Sequence, residues 1–365
     1  MNICIIGDGL TSLSLAKNLI NKKINVHIYQ KEITKSLSPS RALGISSNNL
    51  KFFKKEILEL PNKITWKINK IEIYSEKKNI DKILNFENNK NDLFYMVRND
   101  ELYTSLKKKL SKSKFFKKKL IKQNFSYDKL LKKNQYDLII NCDENNLLSN
   151  KYFTKKIKKD YKNLAYTTIL EHEKIENNSA IQVFTDIGPI AFLPISNKKT
   201  SVVFSMDVKN KRYKDSKIFN LINKYNPKFK IKKILKLSSF ELKSSNLRNY
   251  YYKNILAFGD MLHRIHPLVG QGFNMTIRDI KELSDIIQDK IDLGLQLDTF
   301  VLEEFQKKTK NKNFIFSSGV DFIYEFFNFD RKTNRKNISQ ALKYFGTNKS
   351  FMNSIIKFAD KGLNI

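Results

Sequence analysis

The chain has 365 residues, 41% of them hydrophobic, and a formal charge of +32 from 68 basic and 36 acidic residues. That length and apolar content suit about two packed domains and exclude a disordered chain. Only eight of the basic residues are Arg and the lysines are scattered, so the charge reads as a solvated lysine surface rather than a nucleic-acid face, which favours Arg.

In chain order, residues 2–6 read as a buried strand, 10–22 as a helix and 24–29 as a second strand, a βαβ opening that predicts a parallel sheet. The first strand starts at once, without the charged lead and longer apolar core of a signal peptide, so a cytoplasmic location is expected. Residues 48–60 carry a helical apolar pattern on Leu50, Phe53, Ile57 and Leu58. A strand-like region from 64 to 74 follows, and Tyr95-Met96-Val97-Arg98 precedes a helix near 100–112. Residues 136–143 read as a buried strand ending in an acid. From 164 to 207 the pattern is strand after strand: 164–170, 181–185, 190–194 and 201–207. No apolar run reaches the roughly 18 residues of a membrane-spanning helix. Cys4 and Cys142 lie far apart in apolar runs and read as small core residues, neither a disulfide nor a zinc site.

Two glycine turns stand out, because they hold five of only 11 glycines. Gly7-Asp8-Gly9-Leu10-Thr11-Ser12 follows a strand and opens a helix, the setting in which backbone N–H groups hold a pyrophosphate. Ser12 occupies the third-glycine position, and Gln30 stands where an acid normally holds a ribose. The second turn is Gly259-Asp260-Met261-Leu262-His263-Arg264-Ile265-His266-Pro267-Leu268-Val269-Gly270-Gln271-Gly272-Phe273-Asn274, after the apolar strand Ile255-Leu256-Ala257-Phe258. Asp260, at the strand end, suits polyol hydroxyls. Gly270, Gln271 and Gly272 present N–H groups at a helix start, suited to a polarised ring carbonyl, and Pro267 stiffens the loop between. A metal site from Asp260, His263 and His266 would leave the glycines and proline without a role, so no metal is expected. His263 and His266 also read simply as hydrogen-bonded loop residues.

The second stretch, extended by Arg278-Asp279, closely resembles the second FAD motif of the flavin-dependent aromatic hydroxylases, most like the ubiquinone-biosynthesis branch. Residues 7–12 match the family's first motif, Ser40-Arg41-Ala42-Leu43 its Arg segment near FAD phosphates, 95–102 its Val-x-Asn-x-x-Leu segment, and 188–194 its substrate-domain strands. Asp143-Glu144 departs from the usual Asp-Gly and adds negative charge near the expected FAD phosphate. The resemblance implies an α/β fold: a Rossmann-like FAD domain (1–160 and 250–300), an inserted sheet-rich substrate domain (161–249) and a helical C-terminus (301–365). It implies an FAD-dependent monooxygenase that hydroxylates a polyprenylated phenol with O2, using NAD(P)H-reduced flavin and a C4a-hydroperoxide. Gly7, Gly9, Leu10, Ser12, Gln30, Arg41, Arg98, Asp260, Gly270, Gln271, Gly272, Phe273 and Asn274 would then bind FAD. Pro267 and His266 would lie beside the reacting ring, with His172 a further candidate. A soluble phenol as substrate, or a non-catalytic partner role in the ubiquinone biosynthetic complex, are the alternatives.

Residues 314–329 are dense in aromatics and lead into Arg331, Lys332, Arg335 and Lys336. Phe316, Val320, Ile323 and Phe327 share one helical face. This reads either as a core helix or as a surface where a greasy substrate leaves the membrane, with the protein peripheral on the membrane's inner face beside other ubiquinone-biosynthesis proteins.

Overall fold

The computed structural model describes residues 1–31, 42–76, 80–87, 92–122, 125–127, 130–131, 135–207, 213–266, 270–333 and, beyond these, 348, 354, 356–358, 360 and 362. β1 (Asn2–Ile6), α1 (Leu10–Asn21) and β2 (Asn25–Lys31) form the expected βαβ opening. Ile3, Cys4, Ile5 and Ile6 are fully buried, as a strand covered on both faces requires. Next come β3 (Ala42–Ser46), α2 (Ser47–Phe52), β4 (Thr65–Ile68), β5 (Lys70–Glu76), β6 (Ile80–Glu87) and β7 (Phe94–Arg98). The helical pattern over 48–60 is realised as α2 and one π-type turn, Phe53–Ile57, after which Leu58 is extended. α3 (Asn99–Leu110) buries Leu102, Leu106 and Leu110, four residues apart on one face. Acids in its first turn and lysines in its last match the helix dipole.

β8 (Phe116–Ile121), β9 (Leu138–Asn141) and α4 (Leu147–Tyr152) complete the first half. The second half runs β10 (Lys156–His172), β11 (Ser179–Thr185), β12 (Gly188–Ser196), β13 (Lys199–Asp207), α5 (Asp215–Tyr225), β14 (Ile231–Ile234) and β15 (Ser238–Leu247). It closes with β16 (Tyr251–Tyr252), β17 (Ile255–Ala257), β18 (His263–Arg264), α6 (Gln271–Asp292) and α7 (Thr299–Thr333).

The first sheet has the order β16-β17-β9-β1-β2-β8, parallel throughout except for the β16–β17 hairpin at its edge. The second sheet runs β18-β15-β10-β13-β12-β11-β5-β6, with β14 also on β10. A small sheet, β3-β7-β4, is hydrogen-bonded separately and packs against the second sheet through Ile68, Phe94 and Met96.

Two expected boundaries are corrected. Residues 70–87, expected in the first domain, pair into the second sheet: β5 lies parallel to β11, and β6 antiparallel to β5. β11 has β12 on one side only, so its other edge would be left with open backbone groups without β5. The second sheet also begins earlier than 161, because β10 pairs with β15 from Lys156 onward. The expected face of α7 shifts by one residue. Phe316, Val320 and Tyr324 are buried while Ile323 is 44% exposed, and the Phe327 side chain lies outside the described set.

α7 touches both units. Its first half packs Phe305 on Phe258 (5.7 Å between ring centres) and Gln306 accepts a bond from the Tyr250 N–H (2.7 Å). Its second half meets the second sheet: Ser317 donates to Asn246 (2.9 Å), Tyr161 donates to Asp321, and Lys159 pairs with Glu325 (2.9 Å). Between them lies a buried tie. Asp279 of α6 accepts from Asn313 of α7 (2.9 Å) and is bonded to His263 Nε2, with both His263 and Asp279 almost fully buried. Asp279→Ala would leave His263 and Asn313 buried without that partner, and we expect a loss of about 3 kcal/mol in unfolding free energy. Urea denaturation checks this; a loss below about 1 kcal/mol would show the tie to be dispensable.

Candidate active site

The carboxyl ends of β1, β9 and β17 stand side by side, and at β1 the chain reverses its direction across the sheet, with β2 on one flank and β9 on the other. In open parallel sheets such a switch point is where ligands bind. Gly7 has φ +110° and donates its N–H to the Tyr29 carbonyl (2.8 Å). Gly9 caps α1, and a Cβ there would meet nothing within 4 Å. The first N–H groups of α1, which have no partner within the helix, are thus not covered at the cap. Ser12 is buried, and its hydroxyl would lie 3.3 Å from a Cβ at Gly7, a close contact that the glycine avoids.

The second turn is held directly against the first. Gly259 has φ +66°, and a Cβ there would stand 2.5 Å from the Thr11 methyl. Asp260 follows, exposed, in a single 3-10 turn. At the other end of the stretch Gly270 adopts a left-handed conformation (φ +65°, ψ 26°) as the cap of α6, and a Cβ there would lie 3.3 Å from the Gly44 nitrogen. Two close approaches at glycine, Gly259 on the Thr11 side chain and Gly270 on the Gly44 backbone, thus bring the turns together.

Several of the expected site residues have side chains engaged within the protein. Asn274 is buried and its amide is fully engaged, donating to the Gly44 carbonyl (2.8 Å) and accepting from the Ser46 N–H and the Asn49 amide (both 2.9 Å). Its side chain fastens β3 and α2 to α6. Phe273 is likewise in the core, against Phe53. Arg98 spends its Nη atoms on Asp100 (2.6 Å) and Glu101 (2.9 Å) in the first turn of α3, leaving only Nε without a partner. Gln271 keeps a buried, unpartnered side-chain oxygen, and Gln30 is buried at the end of β2. Leu10 is the first residue of α1, and Gly272 stands in the first turn of α6. Arg41 and Pro267 lie outside the described residues.

The acids at the end of β9 are neutralised. Glu144 is bonded to Arg264 (2.7 Å) and Asp143 to Lys31 (3.2 Å). Asp8, inside the first turn, is raised above the usual carboxylate range, chiefly by burial and also by Asp143, against the opposing pull of Lys107 and Lys118. The expected surplus of negative charge is thus largely cancelled, by cations distant in sequence.

The histidines separate clearly. His263 is the structural partner of Asp279, and no metal-holding group occurs among the described residues. His172 bonds the Glu173 carbonyl (2.7 Å) and the Thr200 hydroxyl (3.0 Å). It lies 11 residues along β10 from Tyr161, about 35 Å in extended chain. Both of its ring nitrogens are thus engaged within the second sheet. His266 differs: it is 1% exposed, stacked on Tyr324 at 4.3 Å, edge-on to Tyr161 at 4.9 Å, and neither ring nitrogen has a partner. Burial, assisted by Lys159, pushes its pKa down to about 3. Sequence reading overlooked Gly44, Thr11, Tyr161 and Tyr324. Only Gly44, two residues beyond Ala42 in a glycine-poor chain, carried a visible signal.

This arrangement is the fold of the FAD-dependent monooxygenases. Over 100% of the chain and 98% of its counterpart it superposes on p-nitrophenol 4-monooxygenase PnpA of Pseudomonas putida DLL-E4, with TM-score 0.78 and 12% identity. Klebsiella pneumoniae HpxO, solved with FAD and uric acid, gives TM-score 0.74 at 12% identity over 100% of this chain and 97% of that one. Residues 166–363, more than half of the sequence, match the squalene epoxidase family, and the chain belongs to that family. It is 27% identical over 212 residues to the mitochondrial ubiquinone biosynthesis monooxygenase COQ6 of Dictyostelium discoideum, covering 48% of this chain and 41% of that protein. It is 30% identical over 158 residues to the 3-demethoxyubiquinol 3-hydroxylase of Escherichia coli (strain K12), covering 42% of this chain and 40% of that protein. The matched stretches therefore span about two fifths of these relatives' lengths.

His266 also generates a prediction for pH. Its folded pKa lies below the unfolded value near 6.5, so the unfolded state binds the extra proton first. Its contribution is present above about pH 6.5 and is lost as pH falls toward 3. At pH 5 the loss should be roughly 2 kcal/mol, visible as a lowered melting temperature. His266→Phe should flatten that acid limb; an unchanged limb would assign it to other groups.

Proposed function

We propose that the chain is an FAD-dependent monooxygenase that hydroxylates the ring of a polyprenylated phenol in ubiquinone biosynthesis, with NAD(P)H as reductant. The observation that carries this reading is the close approach of the glycine turns at the carboxyl ends of β1, β9 and β17, with Gly259 on the Thr11 side chain and Gly270 on the Gly44 backbone. The N–H groups opening α1 would hold the pyrophosphate, with Leu10 beside them and Gln30 toward the ribose. Asp260, exposed at the end of its strand, would accept from ribityl hydroxyls. The start of α6 at 270–272 would turn its N–H groups toward the ring carbonyl, where an anionic ring is favoured by the helix dipole. Arg41 would reach the phosphates, and Pro267 would shape the wall beside the ring. When bound and reduced, FAD supplies the electrons that activate O2 for transfer of one oxygen atom. The protein's own part is to bind, orient and exclude water.

The names of the ubiquinone-linked relatives support ring hydroxylation over epoxidation. The pairing of Glu144 with Arg264 speaks against the non-catalytic role, since the added carboxylate is matched by a cation. Burial raises both thiols, Cys142 to about 12, so neither cysteine offers a nucleophile.

We also propose peripheral contact with the inner face of the membrane through α7. No helix among the described residues is long and apolar enough to cross a membrane, yet Phe314 (44%), Ile315 (54%) and Phe322 (69%) are exposed. Burial of such side chains in the headgroup boundary is favourable.

Purified protein should be yellow with near-stoichiometric flavin, and Asp260→Ala should weaken FAD retention at least about tenfold, measured by equilibrium dialysis; unchanged loading would remove Asp260 from the site. Restoration of ubiquinone in a hydroxylase-deficient strain, with the accumulated intermediate identified, tests the reaction itself. For the membrane, Ile315→Glu with Phe322→Glu should reduce co-sedimentation with anionic vesicles by about tenfold at unchanged melting temperature. Equal sedimentation would reject α7 as the contact.

A further inference from the structure

His266 is placed in a way that packing alone does not explain. Imidazole offers one N–H and one lone pair in its neutral form, and a buried polar group without partners is costly. Its polar neighbours are already engaged. Tyr161 donates to Asp321, whose other oxygen accepts from Ser244 (3.2 Å). The Tyr324 hydroxyl is bonded to the Asn163 amide (2.7 Å), and Lys159 is paired with Glu325 (2.9 Å). The two tyrosines that flank it belong to an apolar cluster with Ile265, Met275, Phe316 and Val320. Among these groups the imidazole alone has both its donor and its acceptor open, and residues 267–269 join it to the cap of α6.

We propose that His266 receives the ring hydroxyl of the substrate and thereby selects an uncharged phenol over an aromatic carboxylate. This rests on the reading of the cleft as a flavin hydroxylase site. The stacking on Tyr324 and the edge of Tyr161 fix the imidazole plane, so its hydrogen-bonding direction is set before any ligand arrives. Because burial keeps the ring neutral down to about pH 3, it offers a lone pair to an O–H, and no positive charge. A carboxylate brought here would lose its hydration without gaining a cation: Lys159 is committed to Glu325. Arg278, whose Nη atoms are also open, lies over Phe316, two turns of α7 from Tyr324.

Titration calorimetry on the full chain, supplied with FAD, tests this with 2-allylphenol and 4-hydroxybenzoate as probes. The phenol should bind at least about tenfold more tightly, with an affinity flat between about pH 5 and 8. His266→Phe should lose about tenfold or more on the phenol, and His266→Gln, which keeps a donor and an acceptor, should recover part of it. Equal affinities for the two probes, a phenol affinity that titrates near pH 6.5, or full binding by His266→Phe would each overturn the proposal. If His266→Phe does not fold, the Gln variant and the selectivity of the unmodified chain still decide. Calorimetry reads phenol binding with or without flavin. Colourless protein that binds phenol through His266 would overturn the flavin reading alone, and yellow protein whose phenol binding ignores His266 would overturn this inference alone.

Discussion

The missing side chain at Gly259 is the constraint on which the rest of the site depends. Its Cα rests so close to Thr11 that a methyl group would stand 2.5 Å from the threonine's own. Through that contact a turn near the C-terminal third is seated on the first helix of the chain, about 250 residues earlier in sequence. Strand order makes the contact reachable, because β17 is only one strand, β9, removed from β1. Gly270 repeats the device against Gly44. The two approaches fix the backbone at both ends of the stretch, at Gly259 and at Gly270, and positional chemistry on a bound ring requires such fixed points.

The site's charge balance is set by long-range pairing. Glu144 and Asp143 look, in sequence, like two extra negative charges beside an anion site. In the folded chain they meet Arg264 and Lys31. Half-exposed pairs of this kind add little to stability, but they alter the field that an approaching phosphate meets. Part of the lysine excess is therefore in use at the cleft, although most of it remains a solvated surface.

What was legible in the sequence follows from how local each signal is. The opening βαβ unit was readable because four consecutive apolar residues and a glycine turn need no distant partner to be interpreted. The stretch 259–274 was readable for the same reason, as an ordered set of residue types. The pairing of β5 with β11 was not, since alternation in a strand states that it has two faces but not whose edge it will cover. The side-chain bonds of Asn274 were not legible for the same reason, since all three run to β3 and α2, far away in sequence. His263 and His266 look alike in sequence, and only the presence of Asp279 beside one of them tells them apart.

The long helix α7 gives the molecule a mechanical character. At 35 residues it is about 52 Å long, braced at one end on Phe258 and Tyr250 and at the other on Tyr161, Asn246 and Lys159. A hinge between the two large sheets would have to break one set of braces at once, since a rigid rod cannot follow both halves of a scissor.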